Sequence, residues 1–227
     1  MTWVKICGMT NLEDALVAVE AGADAVGFVF HPESPRNIRP EAAGEITGRL
    51  PSEVEKIGVF VGDRVGGIET KKRIAHQARL TGIQAYVQAS LRSLSELGSL
   101  NVKLFVAWPA ERVLKGCVGG FRWRCEAKEK VSAILLDSGN SGKASRPGGT
   151  GRTFDWTKAA VVLERLEEFR FIVAGGLRPD NVRAAIEILH PWGVDVVSGV
   201  EASPGKKDPE KVRAFVRAVR EYDRRAS

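Results

Sequence analysis

Cysteine, histidine and long apolar runs are all scarce in this chain, and each shortage removes a class of function. No apolar run approaches the ~18 residues of a membrane span, so a transmembrane protein is not expected. The start, Met1-Thr2-Trp3-Val4-Lys5-Ile6-Cys7, has neither a long apolar core nor a small-residue cleavage site, which argues against a signal peptide. Cys7, Cys117 and Cys125 are an odd number without zinc-like spacing, so reduced thiols in a cytoplasmic setting are expected and a metal centre is not. His31, His76 and His190 show no triad or ligand spacing, and only His31 falls at a strand end.

What is present is ordinary globular material. The 227 residues are 44% hydrophobic and 27% charged, which excludes disordered, collagenous and coiled-coil classes. The net charge is +6, and residues 206–227, with eight basic and four acidic side chains, carry most of it. There Val212, Phe215, Val216, Val219 and Tyr222 recur at helical spacing, with Arg213, Arg217, Arg220 and Arg224 on other faces. A terminal amphipathic helix with a solvated basic side is expected. A nucleic-acid surface is the less expected reading, because a charge run on a helix is weak evidence for one.

Short β-branched runs alternate with amphipathic runs along the chain. Strands are expected at Trp3 to Cys7, Asp24 to Phe30, Lys56 to Val61, Gly82 to Val87, Asn101 to Ala107, Val131 to Asp137, Phe171 to Ala174 and Gly193 to Val197. Helices are expected from the Asn11 cap, from about Pro40, over 67–79, over Leu91 to Leu97, over Pro109 to Leu114, after the Asp155 cap, from about Pro179 and at the C-terminus. Residues 116–130 fit neither pattern. Alternating strands and helices imply parallel pairing through right-handed crossovers. Eight such units close naturally into a (β/α)8 TIM barrel, an α/β fold with outer helices, and ~250 residues is typical for it. A doubly wound sheet is the rival, but the turn after the first strand, Cys7-Gly8-Met9-Thr10, lacks the dinucleotide fingerprint. No interdomain linker is visible, so residues 1–227 are read as one barrel domain.

In such barrels the chemistry gathers at the C-terminal strand ends. Those ends supply Cys7, the Phe30-to-Arg36 loop, Asp137, the Gly148-Gly149-Thr150-Gly151 loop, Gly175-Gly176 and Ser198-Gly199. Two glycine turns after strands seven and eight suit phosphate, because bare backbone N–H groups reach the anion. A buried thiol is usually inert, but Cys7 ends a strand and Lys5 points to the same side, where a cation would lower the thiol pKa. Asp137 fits a loop cap and a general acid equally well. Arg36, stiffened by neighbouring prolines, suits two-point recognition of a carboxylate, though a solvated loop residue reads the same.

The strand-end motifs carry a resemblance. Lys5-Ile6-Cys7-Gly8-Met9-Thr10, Gly27-Phe28-Val29-Phe30, Ser34-Pro35-Arg36, Leu136-Asp137, Gly148-Gly149-Thr150-Gly151, Ala174-Gly175-Gly176 and Ser198-Gly199-Val200-Glu201, in that order, resemble the phosphoribosylanthranilate isomerases of tryptophan biosynthesis. The resemblance implies an Amadori rearrangement of N-(5-phosphoribosyl)anthranilate without metal or organic cofactor. It implies Asp137 as general acid and Cys7 as general base, with Arg36 on the anthranilate carboxylate. It also implies Gly175, Gly176, Ser198 and Gly199 on the phosphate, and Gly149 in a mobile loop. The expected partner is this small-molecule substrate, with no nucleic acid and no membrane, in a cytoplasmic monomer or homodimer.

Strand four departs from the pattern. The family usually carries Gln-Leu-His-Gly there, whereas this chain reads Gly82-Ile83-Gln84-Ala85-Tyr86-Val87-Gln88-Ala89, without the histidine. A histidine-pathway isomerase, which performs the same rearrangement on a different aminoaldose, would favour a carboxylate in place of Cys7. A non-catalytic barrel binding RNA or an acidic partner through its last helix would leave the acid, base and arginine unexplained.

Overall fold

The alternating runs form eight parallel strands that pair in chain order and close through β1 and β8. The computed structural model describes residues 1–61, 67–86, 96–115, 128–138 and 153–226, apart from the Arg165 side chain. The strands are β1 (Trp3–Cys7), β2 (Ala25–Val29), β3 (Glu55–Val61), β4 (Gly82–Tyr86), β5 (Lys103–Pro109), β6 (Ala133–Asp137), β7 (Phe171–Val173) and β8 (Gly193–Val196). Around them lie helices α1 (Leu12–Glu20), α2 (Pro40–Thr47), α3 (Ile68–Gln77), α4 (Ala110–Leu114), α5 (Trp156–Leu163), α6 (Val182–Leu189) and α7 (Pro209–Ala226).

Local chemistry explains most boundaries. The Asn11 side chain accepts the Asp14 N–H at 2.9 Å and starts α1, and the Asp155 side chain accepts the Lys158 N–H at 3.0 Å and starts α5. Pro40 opens α2 without a side-chain cap. Several boundaries differ by a few residues from the sequence expectation, β6 starting at Ala133 rather than Val131 among them. Strand β5 runs two residues later, because Asn101 adopts a left-handed φ of 52° while Trp108 and Pro109 still pair with Leu136 and Asp137. Helix α6 begins at Val182 rather than near Pro179, because Asn181 Oδ1 takes the Arg178 N–H at 2.8 Å and holds a turn there. Leu166 belongs to a 3-10 turn, Glu164–Leu166, that extends α5. The expected helix over Leu91 to Leu97 and the segment 116–130, with Cys117 and Cys125, fall largely outside the described residues.

Alternation along each strand sorts side chains between two compartments. Val4, Ile6, Phe28, Phe60 and Ile134 point outward into the layer beneath the helices. Trp3, Ile57, Phe105, Leu135 and Ile172 fill the barrel interior. Trp3 stacks on Phe105 at 5.6 Å and on Trp192 at 5.2 Å, which plugs the N-terminal end with aromatic area. Among the described residues the interior is therefore packed below, and the cleft lies at the opposite mouth.

After β8 the chain makes a short turn, Ser198–Val200, then an antiparallel hairpin of β9 (Glu201–Ser203) and β10 (Lys206–Lys207). Nothing in the periodicity announces this hairpin. It leads into α7, whose Val212, Phe215, Val216 and Val219 are buried. The basic face of α7 is only partly solvated. Arg213, Arg217 and Arg224 are exposed, but Arg220 turns inward to the carbonyls of Thr2 and Gly22 and pairs with Asp24 at 2.7 Å.

Candidate active site

Two polar layers lie in the upper half of the barrel. The lower holds Lys5, Gln84 and Asp195, each the lone polar residue in the middle of an apolar strand. Burying such groups costs several kcal/mol unless they are paired, on the order of 2–7 for one neutral amide. Here they satisfy one another. Lys5 Nζ lies 2.7 Å from Asp195 Oδ1 and donates to Gln84 Oε1 at 2.9 Å. The Asp195 contact is charge against charge, with angles outside those of an aligned hydrogen bond.

Cys7 stands one layer higher and is 3% exposed. Its register partner across the strands is Gly27, where a Cβ would come within 2.5 Å of the sulfur, so only glycine leaves room for the thiol. Lys5 reaches the Cys7 side chain from below, as its strand position predicts. The expected consequence does not follow. Burial pushes the thiol up, Lys5 pulls it down, Asp195 pushes it up again, and the pKa is raised rather than lowered. The cation is in place, but in a dry site desolvation of the thiolate outweighs it.

Asp137 closes β6 and is 5% exposed. Tyr86 closes β4, and its hydroxyl donates to Asp137 Oδ2 at 2.7 Å. The phenol pKa is raised well above its ordinary value by burial first and then by the neighbouring Asp137. Sequence reasoning missed Tyr86, which was visible only as an unexplained residue in the atypical fourth strand.

Arg36 is neither solvated nor unoccupied. Its Nε and one terminal nitrogen grip Glu201 at 2.8 and 2.7 Å, a two-point carboxylate contact made within the chain. Glu201 Oε1 also takes Lys207 Nζ at 3.1 Å, and Lys207 Nζ donates to the Cys7 carbonyl at 2.6 Å. Lys207 therefore belongs to the site although it lies within the basic C-terminal segment. The β9–β10 hairpin makes this arrangement, and only the Glu201 motif hinted at it.

Gly175 and Gly176 adopt φ of 82° and 67°, and a Cβ on Gly175 would come within 2.0 Å of Ser138 Oγ. Together with Ser198 and Gly199 they line the same cleft as Cys7, Arg36, Asp137 and Tyr86. Ser138 Oγ and, across the cleft, His31 Nδ1 are buried without hydrogen-bond partners. Gly149 lies outside the described residues. Among the described residues no three His, Cys, Asp or Glu side chains converge as a metal site.

The geometry thus gathers a thiol, a carboxyl, a guanidinium and two glycine turns around one mouth. The profile of the N-(5′-phosphoribosyl)anthranilate (PRA) isomerase family matches residues 4–218. The N-(5′-phosphoribosyl)anthranilate isomerase of Pelobacter propionicus is 43% identical over 227 residues, covering 97% of either chain. That of Thermotoga maritima is 40% identical over 222 residues, covering 96% of this chain and 98% of its own. The crystal structure of the Thermotoga maritima phosphoribosyl anthranilate isomerase superposes with a TM-score of 0.78 at 37% identity, over 97% of this chain and 100% of that one. A second phosphoribosyl anthranilate isomerase structure, in complex with reduced 1-(o-carboxyphenylamino)-1-deoxyribulose 5-phosphate, gives 0.76 at 36% identity over the same shares. A closed eight-stranded barrel, a cleft at its C-terminal mouth and likeness along nearly the whole chain lead to one assignment: this chain belongs to the N-(5′-phosphoribosyl)anthranilate isomerase family.

Proposed function

We propose that the chain, as one barrel unit, converts N-(5-phosphoribosyl)anthranilate to 1-(2-carboxyphenylamino)-1-deoxyribulose 5-phosphate, an Amadori step of tryptophan biosynthesis. The observation that carries this reading is the meeting of Cys7, Asp137, Arg36 and the two glycine turns on one cleft. A similar isomerase holds a reduced form of that product.

Asp137 protonates the ribose ring oxygen as the C1–O bond breaks, and the anthranilate nitrogen lone pair forms the iminium. The Cys7 thiolate removes the C2 proton, and the electron pair moves to the C1–C2 bond and neutralises the iminium nitrogen. The resulting enolamine takes a proton at C1 and loses the one on the C2 hydroxyl, leaving the ketone. The iminium is itself the electron sink, so the chemistry calls for no metal or organic cofactor. It also places positive charge near the buried sulfur when a thiolate is needed, which offsets the desolvation that raises the thiol pKa.

Arg36 takes the anthranilate carboxylate while Glu201 fixes its orientation. The backbone of Gly175-Gly176 and Ser198-Gly199 takes the phosphate. The protein acts as a monomer or homodimer, a relative from Thermotoga maritima being described as dimeric. No helix of the described residues is long and apolar enough to cross a membrane.

Loss of substrate fluorescence with purified protein tests the reaction directly, with the histidine-pathway aminoaldose as the control substrate. Cys7→Ser and Asp137→Asn are each expected to lower kcat at least ~100-fold with KM little changed. Full activity in Cys7→Ala would overturn the assigned base.

A further inference from the structure

We propose that Tyr86 is the positioning residue for Asp137: its hydroxyl holds carboxyl Oδ2 in place and stabilises the carboxylate left once the acid has given up its proton. The inference rests on the assignment of Asp137 as general acid, and no part of it follows from the family motifs, because strand four is where this chain departs from them.

The first support is geometry. Tyr86 and Asp137 close strands β4 and β6, with β5 between them, so the 2.7 Å bond ties together strand ends that are not neighbours. That length is typical of a hydroxyl donating to oxygen and close to the charge-assisted range. The second support is rigidity. The ring packs against the apolar barrel interior on one side and against the cluster of Cys7, Val29 and Val59 on the other. With only two side-chain torsions to fix, that packing aims the hydroxyl. The third support is electrostatic. Burial raises the phenol pKa, and Asp137, Asp195 and Cys7 raise it further, so the hydroxyl keeps the proton it donates to Asp137.

Register sharpens the point. Placing the family's Gln-Leu-His on Gln84-Ala85-Tyr86 puts Tyr86 in the histidine's place, and Gln84 and Tyr86 both face the barrel interior. A histidine there changes charge near neutral pH, whereas this half-buried tyrosine, its pKa raised well above the ordinary value, does not. In this chain the strand-four partner of the acid is a fixed neutral donor.

A donor to a carboxylate favours its charged form, so removing the hydroxyl raises the Asp137 pKa. Among the described residues, the other titratable or charged groups around the cleft are Lys5 and Cys7 from β1, His31 and Arg36 after β2, Asp195 from β8, and Glu201 and Lys207 from the hairpin behind Arg36 and Cys7. All are unchanged in Tyr86→Phe, so a shift between parent and variant reports the hydroxyl. The limb of the pH profile that disappears in Asp137→Asn belongs to the carboxyl. In Tyr86→Phe that limb is expected to move up by about one pH unit, with limiting kcat about tenfold lower and KM changed less than threefold. In the Asp137→Asn background, Tyr86→Phe is expected to add nothing.

The chain has only two tyrosines, Tyr86 and Tyr222, and Tyr222 lies on α7. Replacing both with 3-fluorotyrosine strengthens the phenol as a donor without changing its shape, and should move the same limb down. This second measurement decides the matter even if Tyr86→Phe folds poorly. An unmoved limb with fluorotyrosine, or a Tyr86→Phe penalty that multiplies with Asp137→Asn, would overturn the role. An active Asp137→Asn would instead overturn the acid. An inactive Asp137→Asn beside a fully active Tyr86→Phe would remove Tyr86 alone.

Discussion

Two lysines approach Cys7 from different directions, and both are about 1% exposed. Lys5 comes from the barrel floor and has Asp195 as a counter-charge of its own, with Gln84 completing its bonds. Lys207 comes from the hairpin at the rim and shares its counter-charge, because Glu201 also holds Arg36. Burial pushes both ammonium groups down. On the floor Asp195 and then Cys7 outweigh burial and raise the Lys5 pKa. At the rim Glu201 and Cys7 do not outweigh it, Arg36 adds a like charge, and the Lys207 pKa is lowered. Depth in the protein is thus a poor guide to the state of a buried cation, and the share of counter-charge it commands decides the outcome.

The strongest way to break the comparison is to remove the floor cation. Lys5→Met leaves Asp195 buried and uncompensated, which is expected to cost about 3–5 kcal/mol of stability in urea unfolding. Lys5→Met combined with Asp195→Leu removes the whole pair and should recover most of that loss, since buried pairs are often replaceable by apolar groups. Activity should not recover, because the thiol still lacks its cation. A double variant no more stable than the single one would show that Asp195 is held by something other than Lys5.

Removing the rim carboxylate should do less. Glu201→Gln leaves two cations without their shared partner, but Arg36 is 13% exposed and gains water, while Lys207 is already inclined to lose its proton. A stability loss of about 2 kcal/mol is expected. The larger effect should be on binding, with KM for the isomerase substrate raised about tenfold as Arg36 loses its orientation. If KM stays constant while stability falls, Glu201 serves the hairpin and not the guanidinium.

The floor and the rim also differ in how far the sequence announces them. The barrel itself was readable because strand and helix periods alternate eight times, and closure needs only that every strand be buried on both faces. Cys7, Arg36 and Asp137 were readable because they end strands or sit in stiff loops. Lys5 was half readable, since two-residue spacing puts it on the side of Cys7, but its net effect depends on desolvation, which no spacing encodes. Gln84 and Asp195 carried a usable signal, one polar residue inside a short apolar strand, but their meeting with Lys5 required knowing that β8 closes beside β1 with Asp195 in register with Lys5, and that β4 faces β1 across the barrel. Lys207 was hidden more thoroughly. It lies among basic residues that look like a solvated surface, and only the hairpin after β8 turns it inward. Tyr86 was hidden because its role depends on the reach of a ring across β5.

The smallest effect is expected from Lys207→Met, and its pH dependence is the sharpest test of the comparison. Methionine fills the space but leaves the carbonyls of Cys7 and Val197 without this donor, while Glu201 keeps Arg36 and the Gly205 N–H. A deficit of about 1–2 kcal/mol is expected at alkaline pH. The parent's Lys207 has a folded pKa below the ordinary value of 10.5, so its contribution is present above 10.5 and is lost as pH falls through the folded value. The variant pays no such penalty, and its deficit should narrow as pH falls from 10.5. Lys5 has the opposite sign: its folded pKa lies above 10.5, so its contribution is complete below 10.5 and is lost as pH rises through the folded value. The deficit of Lys5→Met should therefore stay level from 10.5 down to the pH at which the uncompensated Asp195 takes up a proton, and should narrow above 10.5. Differences between parent and variant in urea unfolding at stepped pH cancel the groups not coupled to the substituted lysine. Deficits that run in parallel for the two lysines would mean that they command equal shares of counter-charge, and the contrast between floor and rim would fall.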